Sequence, residues 1–330
     1  MPIIMNELSV KKLRPKRKLA KGAVITAFST IMIIRTLHDI FRRIQRLPSE
    51  PIVIDPSEIR VWMVGHATVL INFFGTTILT DPLLVRGLPI PKRRVMHGYR
   101  AHELPELDYI VISHAHLDHF DKRTLRSLST KTKTLIVPRQ CADLVKKMSF
   151  TNVVELDWGS SYDEGDLAIT SYRAEHWGKR VPWERSDRGY NCYILSRNGR
   201  TIFFGGDTAY GDYFKSIGEK HRIDLALLPI SAYKPMLLTS HHMDPIEAHR
   251  AFIDLKSEHC IPIHWGSFRL AMESMAEPPK LFRQKAELDG TTERMHILPN
   301  GASFSLAEFE NKFFNNFSPE LAPEAIKSKE

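Results

Sequence analysis

The stretch Tyr109-Ile110-Val111-Ile112-Ser113-His114-Ala115-His116-Leu117-Asp118-His119 decides how the rest of the chain is read. Its first four residues are apolar and strand-forming, and the turn that follows carries three histidines and one aspartate within six positions. Crowding that many ionisable groups at a strand end is costly unless a cation fills the space between them. Imidazole nitrogen and carboxylate oxygen suit zinc and neighbouring divalent ions, and no cysteine offers a softer donor here. Where the chain turns out of the strand, His114 and His116 can converge on one point while Asp118 and His119 face a second. The pattern predicts two divalent metal ions, zinc first among them. The order of donors differs from the HExxH arrangement, which supplies two ligands and a base from one helix.

Four donors from one loop cannot complete two metal shells, so further ligands are expected at other strand ends. His176 lies beyond the strand-like run 167–170, Asp207 follows Phe203-Phe204-Gly205-Gly206, and His264 closes Ile261-Pro262-Ile263. Asp207 suits a bridging role, since its glycines permit close backbone approach and one shared carboxylate reduces repulsion between two cations. Asp81, in Leu79-Thr80-Asp81-Pro82, is expected to orient a ligand histidine through that ring's other nitrogen. Each of these residues alone has a plainer explanation, because Gly-Asp-Thr is a common turn and a histidine at a strand end is often only a satisfied polar group. Their shared placement after apolar strands joins them. His66 reads as a turn residue supporting the loop, His241 carries no clear signal, and His242 could donate to substrate or orient His264.

Around these positions the chain reads as an α+β domain. Short apolar runs at 61–64, 69–73 and 77–80 form a meander with Gly75 at a turn, and others recur at 109–112, 135–137, 153–156, 167–170, 192–195, 201–204, 225–228 and 260–263. Asn198-Gly199 marks a hairpin. Helices are expected at 122–128, 141–148 and 245–255. Residues 82–99, rich in proline, glycine and basic side chains, read as a long functional loop. Two mixed sheets facing each other with helices outside would bury this many apolar strands.

The formal net charge of +8 resides in the first fifty residues, which hold eleven Lys or Arg and three Asp or Glu; the remainder is neutral. The bulk electrostatic case for nucleic acid therefore vanishes, and no nucleic-acid partner is expected. Residues 1–50 are read as a basic leader and 51–330 as the catalytic domain. Within the leader, the apolar segment 22–34 is shorter than the roughly 20 residues that cross a bilayer. The alternation continues through Leu37, Ile40, Phe41, Ile44 and Leu47, so residues 11–47 suggest an amphipathic helix lying on a membrane surface. A short apolar core after a basic start also resembles a signal peptide, but no small-residue cleavage site follows. Cys141, Cys192 and Cys260 are isolated in apolar surroundings and read as free core thiols. The cytoplasm or the cytoplasmic face of a membrane is the expected location.

Taken together, these motifs resemble the metallo-beta-lactamase superfamily, and within it the N-acylphosphatidylethanolamine-hydrolysing phospholipase D branch. The likeness runs from about Val61 to Ser305. It is carried by Leu79-Thr80-Asp81-Pro82, the histidine motif at 112–119, Val154-Glu155-Leu156-Asp157-Trp158, Gly206-Asp207-Thr208, His242-Met243-Asp244-Pro245-Ile246-Glu247-Ala248 and Ile263-His264-Trp265-Gly266-Ser267-Phe268. The resemblance implies an αββα sandwich with a two-zinc site. His114, His116 and His176 would hold one ion, Asp118, His119 and His264 the other, with Asp207 bridging. It also implies a homodimer. Residues 91–95 and 185–189 depart from the family's pattern where substrate would be recognised.

A two-metal site of this kind hydrolyses its substrate with water, needing no serine or cysteine nucleophile. The expected reaction is phospholipase D-type cleavage of N-acylphosphatidylethanolamine to phosphatidic acid and N-acylethanolamine. Asp118, Asp207 and His242 are the catalytic candidates, His242 as an acid for the leaving group. Arg93, Arg94 and Lys179 could pair with headgroup oxygens. The same donors could serve a hydrolase of lactones, thioesters or soluble cyclic phosphodiesters, or a metal-binding module without catalysis.

Overall fold

The computed structural model describes Thr30, Ile34 and residues 43–88, 91–181, 184 and 188–317. The chain divides into a unit at residues 1–41, which holds Thr30 and Ile34, and a second unit from Arg42 onward. The expected surface helix at 11–47 thus lies mostly outside the described residues. Within its described end, Ile44 and Leu47 sit in irregular backbone, with Gln45 paired to the body through its N–H to Arg94 O at 2.9 Å. Among the described residues no helix is long and apolar enough to cross a membrane.

Strands β1 (Ile59–Gly65), β2 (Thr68–Phe73), β3 (Thr76–Thr80), β4 (Leu107–Val111), β5 (Thr132–Pro138), β6 (Asn152–Leu156) and the late β13 (Ser303–Ser305) form one sheet, in the order β13-β1-β2-β3-β4-β5-β6. The second sheet runs β12 (His259–Ile263), β11 (Leu225–Pro229), β10 (Arg200–Phe204), β9 (Asn191–Arg197), β8 (Leu167–Arg173) and β7 (Ser161–Glu164). Both are mixed: β1 to β3 are antiparallel and β3 to β6 parallel, while β7 to β10 are antiparallel and β10 to β12 parallel.

Burial follows the period-two alternation of strand side chains. Ile59, Val61 and Met63 of β1 face Ile169, Leu195 and Leu227 of the opposite sheet, whereas Trp62 and Val64 face outward into a second core with Leu125 and Leu128. Those two leucines belong to helix α1 (Lys122–Leu128). On the far side, Phe203, Ala226 and Leu228 pack against helices α2 (Tyr213–Lys220), α3 (Pro245–Asp254) and α4 (Glu277–Leu288); α5 (Leu306–Phe317) follows β13. Sheets covered on both faces are why these strands read as continuous apolar runs. The arrangement is the αββα sandwich expected from the sequence.

The expected helix at 141–148 is instead a single turn at Ala142–Leu144. Eight residues hold a helix weakly, and here Glu155 Oε1 accepts the N–H groups of Cys141 and Ala142 at 2.8 and 2.7 Å. Arg188 also bonds Asp143 at 2.5 Å. These tertiary contacts anchor the segment as one turn. Conversely, α2, α4, α5, β7 and β13 were not legible, and α2 contains Gly218, where an added Cβ would lie 2.4 Å from Asp254 O. The glycine that weakens the helical pattern is what lets α2 approach α3.

Candidate metal centre

The donors gather where the C-terminal ends of β4, β8, β10 and β12 meet along one edge of the sandwich. Two bonds tie the sheets together there: Asn191 N–H donates to Ser113 O at 2.8 Å, and Tyr193 Oη–H donates to Ile112 O at 2.8 Å. The backbone is unusual at this edge. His66, Asp81 and His264 have φ of 64°, 33° and 61°, a region non-glycine residues rarely occupy, and such outliers persist where surrounding bonds hold them. His264 N–H is held by His66 O at 2.9 Å. Gly206 has φ of 57° and a Cβ there would sit 2.4 Å from that of Ser113, so only glycine brings Asp207 this close to the histidine loop.

Proton positions follow from the outer partners. Buried Asp81 accepts from Ser113 N–H at 2.7 Å, Ser113 Oγ–H at 2.5 Å and His119 Nδ1–H at 2.6 Å. With its own proton committed, Ser113 Oγ accepts from His114 Nδ1–H at 2.9 Å. His176 Nδ1–H donates to His241 O at 2.8 Å. Each imidazole so fixed turns a bare Nε2 inward. The role expected for Asp81 is therefore what its contacts describe, and it extends to a second histidine through Ser113.

Inside, lone pair meets lone pair. His114 Nε2 lies 2.7 Å from His116 Nδ1, and His176 Nε2 lies 3.2 Å from the same atom. His119 Nε2 and His264 Nε2 lie 3.1 and 3.2 Å from Asp207 Oδ2, and 3.6 and 3.5 Å from Asp118 Oδ2. Tetrahedral donors about 2.1 Å from a metal would stand about 3.4 Å apart, within the range of these separations. His116 Nε2, His119 Nε2, His264 Nε2 and Asp207 Oδ1 are all buried without a hydrogen-bond partner. Donor chemistry, spacing and orphaned atoms all fit a cation.

Charge balance gives the same answer. Burial pushes His116 and His176 down to about 3 and His114 well below the ordinary imidazole value, reinforced by neighbouring histidines, so all three rings are neutral and ready to ligate. Burial alone would raise Asp118 and Asp207, yet His119 and His264 hold both carboxyls well below the usual range. His119, whose burial would lower it, is instead raised well above its ordinary value by Asp207, Asp118 and Asp81.

All seven expected ligands, His114, His116, Asp118, His119, His176, Asp207 and His264, are brought together. His66, read only as a turn residue, joins the set of Asp118, His119 and His264, with Nε2 3.1 Å from Asp118 Oδ2. Its signal was the one used elsewhere, a histidine directly after an apolar strand. His242 Nδ1 lies 3.7 Å from Asp207 Oδ2, and burial lowers its pKa to about 4. Arg93 departs from expectation. It is buried, donates to Leu83 O at 2.7 Å and Val85 O at 3.0 Å, and stacks 4.5 Å over Phe268, so it braces the 82–99 loop. Arg180, which had no sequence signal, donates to Ala115 O at 2.9 Å and Phe120 O at 2.8 Å, clamping both ends of the histidine loop.

The family described as beta-lactamase superfamily domain matches residues 76–265, more than half of the chain. The chain belongs to the metallo-beta-lactamase superfamily and is a metal-dependent hydrolase of that fold. An uncharacterized protein of Mycobacterium tuberculosis is 33% identical over 250 residues, covering 72% of this chain and 67% of that one. N-acyl-phosphatidylethanolamine-hydrolyzing phospholipase D 1 of Caenorhabditis elegans is 31% identical over 226 residues, 63% of each chain. Among solved structures, the metallo hydrolase Igni18 of Ignicoccus hospitalis superposes with a TM-score of 0.60 at 21% identity, covering 75% of this chain and 98% of that one.

Proposed function

We propose that the protein is a two-metal phosphodiesterase of phospholipase D type that cleaves N-acylphosphatidylethanolamine to phosphatidic acid and N-acylethanolamine. The observation that carries this reading is the pair of donor sets meeting at Asp207, one of three neutral histidines and one of Asp118, His119 and His264. His114, His116 and His176 would hold one divalent ion, zinc by its nitrogen-rich donors, Asp118, His119 and His264 the second, and Asp207 both. The bound ions would lower the pKa of a water and offset charge growing on the phosphoryl oxygens.

The chain's own residues do the rest. His66 donates to Asp118 and aims it; Asp81 and Ser113 hold the tautomers of His119 and His114. With a pKa near 4, His242 is neutral at pH 7, so it serves as a hydrogen-bond donor to a phosphoryl or leaving oxygen and not as an imidazolium acid.

Two features favour a lipid over a soluble diester. Leu117, Trp177 and Met236 are exposed at 37%, 38% and 85%, the first two beside ligands and the third in the turn preceding His241 and His242. The Trp177 ring lies 4.5 Å from that of His116. A cavity of 370 Å³ is lined by Trp265 and Gly266, which follow His264, with Leu47, Met63, Val95 and Met275 as its apolar part and Arg43, Gln45, Arg94 and Asn300 as its polar part. The likeness to the Caenorhabditis elegans phospholipase adds to this reading. Metal-replete protein incubated with mixed phospholipids and lipid-free phosphodiesters, with products identified by mass, tests it. Release of N-acylethanolamine supports the proposal, and selective loss of a soluble diester overturns it.

A further inference from the structure

A second concave site lies away from the metal centre. Its 420 Å³ cavity is walled by Arg46, by Arg86, His97 and Arg100 of the 82–101 region, and by Arg123 of α1; none of the metal donors lines it. Three separate chain segments thus set four arginines around one volume, Arg123 among them paired with Asp121, and that volume falls within the size range of small-molecule sites. Among the described residues the lining contains no carboxylate. The nearby acids are engaged: Asp121 Oδ1 caps α1 by accepting Thr124 N–H at 2.8 Å while its Oδ2 lies 3.3 Å from Arg123, and Glu103 accepts the backbone N–H of Arg100 at 2.6 Å. Like charges gathered in a concavity raise the local concentration of anions.

The remaining walls limit the ligand further. Leu84, Val85, Met96 and Ala101 give the cavity an apolar part. Arg93, bonded to the carbonyls of Leu83 and Val85, holds that wall in place from behind and adds a charge there. His97 donates Nδ1–H to Tyr99 O at 2.7 Å, which leaves Nε2 as an acceptor for a hydroxyl. Burial, then the charges of Arg93 and Arg46, push His97 down to about 4, in keeping with a positive field. Arginines suit phosphate oxygens through bidentate bonds.

We propose that this pocket binds a phosphomonoester carrying a short hydroxylated carbon skeleton, either a glycerophosphate-like solute or the headgroup of an anionic phospholipid. This inference does not depend on the substrate of the metal centre. Full-length, metal-loaded protein is titrated with glycerol 3-phosphate by calorimetry, and its flotation is measured with phosphatidylcholine vesicles with and without phosphatidic acid. The double variant Arg86→Ala/Arg100→Ala is compared with a charge-matched control, Lys215→Ala/Lys220→Ala on α2.

Loss of about tenfold in glycerol 3-phosphate affinity in the arginine variant alone supports a solute site. Loss confined to the phosphatidic-acid-dependent part of vesicle binding supports a lipid headgroup site. Metal content and hydrolysis of a soluble diester should stay unchanged in either case. Equal binding of both probes by all three proteins, or no binding by wild type, overturns the proposal. Arg86→Gln, a single change at an exposed side chain, supplies the same comparison where the double variant melts early.

Discussion

The two sides of the metal centre are built by opposite means. On the first sheet, one loop after β4 supplies His114, His116, Asp118 and His119 within six residues, and its shape is held by Asp81 beneath, through Ser113 and His119, and by Arg180 at both ends. On the second sheet, β8, β10 and β12 each deliver a single donor, His176, Asp207 and His264, from positions spread over nearly ninety residues. The local side buys density of ligands with a costly cluster of ionisable groups; the distributed side supplies the geometry that makes the cluster useful. Asp207, facing both donor sets, is where the two depend on each other.

The strongest way to break this picture is to remove that shared carboxylate. Asp207→Ala should lower hydrolysis by ~10³-fold, at the upper end for loss of one electrostatic partner, and elemental analysis should find metal missing from both sets. Retention of two ions at full occupancy would sink the idea of a shared ligand. Next comes the local scaffold: Asp81→Asn should weaken metal binding about 10- to 100-fold, as removal of a ligand's hydrogen-bond partner does. Competition with a chelator measures it, and an unchanged affinity would mean that the histidine loop holds its shape without Asp81.

Acid should also discriminate. In metal-free protein His66, His116 and His176 have pKa values lowered to about 3 and His242 to about 4, so between pH 6.5 and 4 the unfolded chain binds protons that the folded one does not. Stability then falls as pH falls through that window. Asp118 and Asp207, held well below 3.8, lose their contribution only at still lower pH. Thermal melts of chelator-treated protein at pH 7 and 4.5 should differ clearly, and equal melting temperatures would contradict the neutral, buried imidazoles.

Two smaller effects sharpen the contrast. Gly206→Ala places a methyl against Ser113 and should destabilise the fold by about 1–3 kcal/mol, the usual cost of overpacking, readable from denaturant midpoints. Trp177→Ala should leave metal content intact and slow hydrolysis of vesicle substrate a few-fold relative to a soluble diester, about the effect of losing one exposed apolar contact. Equal slowing on both substrates would assign Trp177 to His116 packing instead of lipid contact.

What was legible followed from backbone periodicity. Alternating or continuous apolar runs marked the central strands, and polar residues beyond four of them, 109–112, 167–170, 201–204 and 260–263, marked the candidate donors. Elements whose identity rests on partners were missed: the 142–144 turn is held by Glu155 and Arg188, and α2 carries a glycine that only its contact with α3 explains. His66 shared the strand-end signal but had no visible reason to turn inward until Asp118 stood 3.1 Å away.

By itself the order of residues determined a candidate metal-binding turn after β4, the strands around it and the chemical type of the candidate donors, because these depend on local spacing and side-chain chemistry. Tertiary structure alone decided which nitrogen of each imidazole faces inward, that Arg93 is buried while Arg86 and Arg100 ring a separate cavity, and that Arg180 clamps the histidine loop. Those outcomes depend on hydrogen bonds and packing between segments far apart in the chain, whose meeting no local pattern encodes.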